Sequence, residues 1–390
     1  MRRSFLLLLL LALQTGCAGI RPAPPAAQSP LLADTAFAPP SQPIGSAGLF
    51  TLSPAMRAYL HSSAFKTHLR DDGMERGLVK ALYSRSDLQL EYDASRTGTA
   101  AETYAARSGN CLALVIMTAA FARELGMTVR YQSVDVEQSW TRNAGLYVGS
   151  GHVNVVLGHR AQTFYDSSAG QELVVDFLAP KDAGRLHTRR LEEADIVALF
   201  MNNRAVETLA EGHLDDAYWW ARAALASRPA EAAPYNTLGV IYERHGDLAL
   251  AERAYRAALT REPDNVAVMQ NLSPTLAALG RHAEARALAE RAARLQPAPP
   301  FHYFNQGMLA MRRGDYGAAR DLFAREVERA PYDDEFHFWL AQALLRLGDA
   351  TQADRQLALA VDTSIRPGDR QRYSSKLAHL RQLAIAPQPR

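Results

Sequence analysis

The sequence predicts two folded parts, an α+β domain in which a buried helix packs on an antiparallel sheet, followed by an all-α solenoid of helix pairs. Three observations predict this. At 390 residues with 48% hydrophobic content, the chain is too long for one core and apolar enough to fold. Residues 109–126 are apolar nearly all round, as in a helix at the centre of a domain, and the stretches that follow have strand character. Beyond about Leu191 the chain becomes Ala-rich, and Ala217, Ala251, Ala285, Ala319 and Ala353 fall 34 residues apart.

A formal net charge of +2, from 43 basic and 41 acidic residues, gives no electrostatic reason to expect a nucleic-acid partner. The chain opens with Met1-Arg2-Arg3-Ser4, an apolar run from Phe5 to Leu13, and Gln14-Thr15-Gly16-Cys17. A basic start, a short apolar run and small residues before a cysteine are the parts of a secretory signal, and the run is too short to span a bilayer. Ending on Cys17, residues 1–17 resemble a bacterial lipoprotein signal peptide. That resemblance implies lipid on Cys17 and, with Ala18 following, an outer-membrane lipoprotein facing the periplasm. The alternative is an ordinary cleaved signal.

Residues 18–47 are rich in Pro, Ala and Ser and read as a flexible tether, because such a stretch buries too little apolar surface to offset its ordering entropy. Folded sequence begins near Leu49, and residues 48–190 are assigned to the α+β domain. Ser53-Pro54 has the form of an N-cap with proline in the first turn, and a second helix is expected from about Met74 to Tyr83. Leu88 to Tyr92 alternates as a short strand, and Thr99-Ala100-Ala101-Glu102 has capping-box spacing. Asn110 caps the apolar helix, which Gly126 ends. Strands are expected over residues 127–134, 151–157 and 172–177.

The only cysteine besides Cys17 is Cys111, in the first turn of that helix, where unpaired amides and the macrodipole favour a thiolate. His152 on one strand and Asp176 on the next complete a set that acts as nucleophile, general base and orienting carboxylate. Asp166, in Phe164-Tyr165-Asp166, is a rival for the third role. Thr99 to Thr103, Gly109-Asn110-Cys111, Ala122 to Met127 and Arg130-Tyr131 together resemble the core of the bacterial transglutaminase-like superfamily, which shares the papain-like arrangement. The resemblance covers about residues 75–180. It implies that Cys111 is the nucleophile, His152 the base and Asp176 the third member, in a cysteine peptidase, amidase or acyl transferase working through a thioester. His159 and His187 have no partner pattern, and no HExxH or paired CxxC spacing exists, so neither a metal nor a cofactor is expected.

In the solenoid, Gly212, Gly246, Gly280, Gly314 and Gly348 keep the 34-residue spacing, as do Pro229, Pro263, Pro297 and Pro331. Small Ala lets paired helices approach, a bulky residue four places on (Tyr255, Phe323, Leu357) fills the gap, and proline stops the second helix. These units resemble tetratricopeptide (TPR) repeats. Five fit residues 196–365, the first being the weakest, and 366–390 hold a capping helix and tail. The resemblance implies a surface for a protein or peptide partner, and the alternative is a non-catalytic scaffold lipoprotein with an inactive first domain. Trp219-Trp220 is read as packing.

Overall fold

A computed structural model describes residues 31–83, 88, 90–93, 96–143, 146–158, 172–177, 187–298, 301–331, 333–364 and 367–385. Cys17 with the signal segment, the first part of the Pro/Ala-rich stretch, His159 and Asp166 lie outside the described residues.

The α+β domain is built outward from its most apolar helix. Helix α1 (Pro54–Leu60) starts on Ser53, whose oxygen accepts the Met56 amide. Helix α2 (Ser63–Asp72), which the sequence reading passed over, starts the same way on Ser62 and packs beside α3 (Met74–Tyr83). That approach is so close that a Cβ on Gly77 would lie 2.5 Å from the His68 carbonyl oxygen. Of the strand expected over 88–92, the described residues show β1 (Glu91–Tyr92), and Leu88 is buried. Helix α4 (Ala100–Ala106) carries the capping box in full. A two-residue β2 (Ser108–Gly109) then pairs in parallel with β1.

Helix α5 (Cys111–Glu124) is buried from Cys111 through Ala122. It packs on a sheet of β3 (Thr128–Asn143), β4 (Leu146–Gly158), β5 (Leu173–Val175) and β6 (Thr188–Leu191), in the order β5-β4-β3-β6. All neighbouring strands run antiparallel. The central pair outruns the expected strands by continuing past an irregularity between Val134 and Ser139. Strand β6 went unread because three of its four residues are exposed, leaving no alternation.

Five helix pairs follow: α6 (Glu193–Ala210) with α7 (Leu214–Ser227), α8 (Ala233–His245) with α9 (Leu248–Arg261), α10 (Val266–Ala278) with α11 (His282–Leu295), α12 (His302–Arg313) with α13 (Tyr316–Arg329), and α14 (Asp334–Arg346) with α15 (Ala350–Thr363). Helix α16 (Pro367–Ile385) covers the last pair. All five spaced glycines have positive φ, between 77° and 97°, as the turn within each pair requires. The spaced alanines are buried, and Tyr255, Phe323 and Leu357 are wholly enclosed.

Two larger features also depart from the sequence reading. The segment expected to be a flexible tether to residue 47 is, from Leu31 onward, laid against α7 and α8. Phe37 stacks on Tyr218 with ring centroids 4.0 Å apart, and Asp34 accepts from Tyr218 Oη at 2.6 Å and Arg222 Nε at 2.9 Å. Array side chains also bond its backbone: Tyr242 Oη donates to the Leu31 carbonyl at 2.6 Å, and Trp219 Nε1 to that of Ala38 at 2.7 Å. Ser41 is held by Asp216 through both its amide and its hydroxyl. Composition alone favoured disorder, but two side chains and this backbone bonding supply the missing enthalpy. Of the Trp pair, Trp219 thus holds the segment, while Trp220 is buried edge-on to Phe200.

The second departure lies in the array. One continuous core runs from Phe37 through α5 and the sheet to Ala285, and a separate one runs from Phe301 to Leu377. Helices α7 and α9 each pack on the next pair, as α13 does, whereas α11 and α12 scarcely meet.

Candidate active site

Asn110 begins the construction of the site. Its backbone is extended (φ −73°, ψ 176°) and its side-chain oxygen accepts the Ala113 amide at 3.0 Å, which caps α5 and leaves Cys111 as the first helical residue. The preceding residue must be small, since a Cβ on Gly109 would lie 2.8 Å from that of Ala113. The sulfur therefore sits at the positive end of a helix dipole.

Strand β4 supplies the base. His152 pairs across the ladder with Val134 of β3, and β5 pairs with β4 through Val155 and Val175, which sets Asp176 opposite Asn154. His152 Nε2 and Asp176 Oδ1 are 2.7 Å apart, and Asn154 Nδ2 donates to the other carboxylate oxygen at 3.4 Å. With Nε2 facing the carboxylate, Nδ1 is left for the Cys111 thiol, which lies near enough to act on the ring. Burial disfavours the charged ring, but the bonds and charges of Asp176 and Cys111 outweigh it and move His152 from 6.5 to about 9. The ring is accordingly an imidazolium at neutral pH. The structure brings Cys111, His152 and Asp176 together, and all three are enclosed: Cys111 and the His152 side chain are each 6% exposed, and the Asp176 side chain 11%.

Two tyrosines completing the surroundings were not picked out from the sequence. The Tyr92 hydroxyl lies against the amide and sulfur of Cys111, and burial followed by charge on that sulfur pushes its phenol far up, leaving a neutral donor. Tyr83 stacks on Phe177 with centroids 5.2 Å apart, and burial together with the Asp176 charge raises it likewise. Their only sequence signal was an aromatic residue at the end of a predicted helix and another at the end of a predicted strand. His187 is exposed and takes no part.

The arrangement on the N-terminal side is that of a thiol, an imidazole and a carboxylate; the remainder is an array of helix pairs. The tetratricopeptide repeat family model matches residues 203–266, 236–302 and 304–369, so the C-terminal part of the chain is a TPR array. Among curated proteins, the chain is 30% identical over 151 residues to a TPR repeat-containing protein of Pseudomonas aeruginosa, covering 38% of this chain and 25% of that one. It is 29% identical over 126 residues to the cellulose synthase operon protein C of Komagataeibacter xylinus, covering 32% and 10%. The chain thus spans a quarter or less of the length of these relatives. Among solved structures, the pilF protein of Pseudomonas aeruginosa is 19% identical, with 49% of this chain and 87% of that chain covered and a TM-score of 0.30. YrrB, described as a TPR protein with an unusual peptide-binding site, is 20% identical, with 46% and 92% covered and a TM-score of 0.25.

Proposed function

We propose that this chain is a protein-interaction scaffold whose TPR array holds a polypeptide, and whose α+β domain, of transglutaminase-like and papain-like type, presents a thiol site to amide or acyl bonds of that partner. One observation carries the site: a buried imidazole held between the Asp176 carboxylate, at 2.7 Å, and the thiol at the start of α5. The array reading is supported by the family match and the unbroken 34-residue period.

In this reading the Cys111 sulfur, its proton already on His152, attacks the carbonyl carbon and forms a C–S bond. The C–N bond then breaks as His152 returns the proton to the departing amine. Water, or an acceptor amine, attacks the thioester; His152 removes a proton from it, and rupture of the C–S bond regenerates the thiolate. Asp176 holds the ring in the required orientation and offsets its charge throughout.

The test is the reactivity of one atom. Iodoacetamide at pH 6 should label Cys111 in the folded protein, well below the ordinary thiol pKa of about 8.5, and His152→Ala should abolish that labelling. Labelling that appears only on denaturation rejects turnover. A second reading, a non-catalytic TPR adaptor, is favoured by the enclosure of Cys111, and it gains support from that same negative result. For the array, a partner captured by the full chain should be lost when the repeats are removed. In the same proposal Cys17 carries lipid and holds the chain at the periplasmic face of the outer membrane. Incorporation of labelled fatty acid should then vanish in Cys17→Ser.

A further inference from the structure

Residues 31–41 lie on the first two repeats as a docked peptide lies on a receptor. From Thr35 to Pro43, Phe37 is the one residue that is not exposed. Array side chains bond the main chain of the segment at five groups. Tyr242 Oη donates to the Leu31 carbonyl and Trp219 Nε1 to that of Ala38. Tyr218 Oη accepts the Ala33 amide at 3.0 Å, Asp215 the Ala38 amide at 3.0 Å and Asp216 the Ser41 amide at 2.7 Å. Main-chain bonds hold any extended segment, and selectivity comes from the side chains that enter pockets. Two do so here. Asp34 meets the Tyr218 hydroxyl and the Arg222 guanidinium, and Phe37 is enclosed by the rings of Tyr218, Tyr242 and His245, with centroids 4.0, 6.0 and 4.7 Å away. The seat thus reads a carboxylate and, three residues on, an aromatic ring.

The rings that read the segment are not repeat scaffold. Residues 34 apart do the same packing in each helix pair, so a scaffold position would recur. At 34-residue steps Tyr218 is followed by Glu252, Arg286, Arg320 and Asp354, and no aromatic recurs at the position of Trp219 either. Tyr218 and Trp219 are therefore an addition to the first repeat, and what both hold is the segment.

We infer that the seat on α7 and α8 is a peptide-binding site of the array, filled in the free chain by its own residues 31–41, and that its partner is an extended polypeptide segment with Asp or Glu three residues before an aromatic residue. The inference deepens, and rests on, the reading in which the array holds a polypeptide. Release of the segment does not require the α+β domain to open, because the chain is tied to that domain from Leu49, which is buried and whose carbonyl accepts the Ala100 amide at 2.9 Å. A competitor joined to the same chain acts at high effective concentration, so a partner binds with its intrinsic affinity reduced by the fraction of molecules whose seat is open.

The probe is a fluorescent peptide with the sequence of residues 31–41, followed by anisotropy against the full chain and against the full chain carrying Asp34→Ala and Phe37→Ala together. The peptide should saturate the double variant at one site and bind the natural chain at least about tenfold more weakly. Alanine in place of Asp34 or Phe37 in the peptide should weaken its binding to the double variant by about tenfold. With Arg222→Ala added to the double variant, the peptide and its Asp34→Ala form should bind about equally. Unlabelled peptide titrated into the natural chain should speed hydrogen exchange at the chain's own Ala38 and Ser41 amides, by about tenfold at ten times the peptide's Kd. That titration decides the matter if the double variant does not fold. Absence of saturable binding, indifference to the Asp34 and Phe37 substitutions, or exchange that the peptide leaves unchanged overturns the inference. A dimer of the natural chain that dissociates in the double variant would give the seat to a second copy and overturn it as well. Failure of the wider reading looks different, since partner capture would then survive removal of the repeats; capture that needs the repeats but ignores Arg222→Ala overturns the seat alone.

Discussion

Repeats one to three and repeats four and five are written with the same period, the same turn glycines and, in all but the fifth, the same terminal proline, yet they belong to different cores. The first three continue the core of the α+β domain without interruption, whereas the last two, with α16, enclose their own. Pro297 and Ala298 stand at the boundary, and beyond them α12 is capped from within its own pair: buried Glu326 accepts the Tyr303 and Phe304 amides at 2.8 and 3.0 Å. The family match divides at the same place, between residues 302 and 304. The 34-residue period thus encodes the pairing of helices, a local matter, and leaves the stacking of one pair on the next to side chains outside the repeat pattern. Calorimetry should accordingly resolve two unfolding transitions, and a single cooperative one would break the comparison.

Phe37→Ala should have the largest effect on it. The ring is 5% exposed and stacked on Tyr218, so its removal should cost about 4 kcal/mol in the first transition and leave the second in place. Movement of both transitions would unite the two cores. Next comes a matched pair of glycines. A Cβ on Gly239 would lie 2.4 Å from Tyr255 Cε1, and one on Gly307 2.6 Å from Phe323 Cε1. Gly239→Ala should lower the first transition and Gly307→Ala the second, each by about 2 kcal/mol of overpacking. Crossed effects in the melting curves would again count against separation.

A pH series sharpens the contrast. The folded-state pKa of His152 is raised from 6.5 to about 9, so its stabilising contribution is complete below 6.5 and lost as pH rises through about 9. Glu207 and, in the second core, Asp333 are raised to about 7, and their contributions disappear earlier on the same upward path. A fall in the first transition as pH rises through about 9, with the second holding steady, is the signature expected of His152. Equal slopes in the two would show that His152 is not the titrating group. The smallest change is expected from Asn265→Ala, which removes the oxygen that accepts the Val268 amide at 3.1 Å and should take about 1 kcal/mol from the first transition.

Legibility followed the range of the interactions. Helix pairs, turns and caps were readable because Gly246, Ala251 and Tyr255, or Asn110 and Ala113, act within a few residues of one another. Cys111, His152 and Asp176 were readable only as an ordered set of chemical types. The sequence left Asp166 as an alternative to Asp176, since the pairing of β5 with β4 that brings Asp176 to the ring carries no local signature. Asp34 and Phe37 were hidden in a Pro/Ala-rich stretch because their partners, Tyr218 and Arg222, lie more than 180 residues away. The break between α11 and α12 left no trace in the spacing.

The docking of residues 31–41 on α7 and α8 also decides how the molecule bears load. The chain leaves that seat before entering the α+β domain near Leu49, so tension at its N-terminus would meet the Phe37 stack and the Asp34 to Arg222 ion pair first. A pull from that end would be carried in shear by the first two repeats, and the sheet bearing His152 would stay slack until that clasp let go.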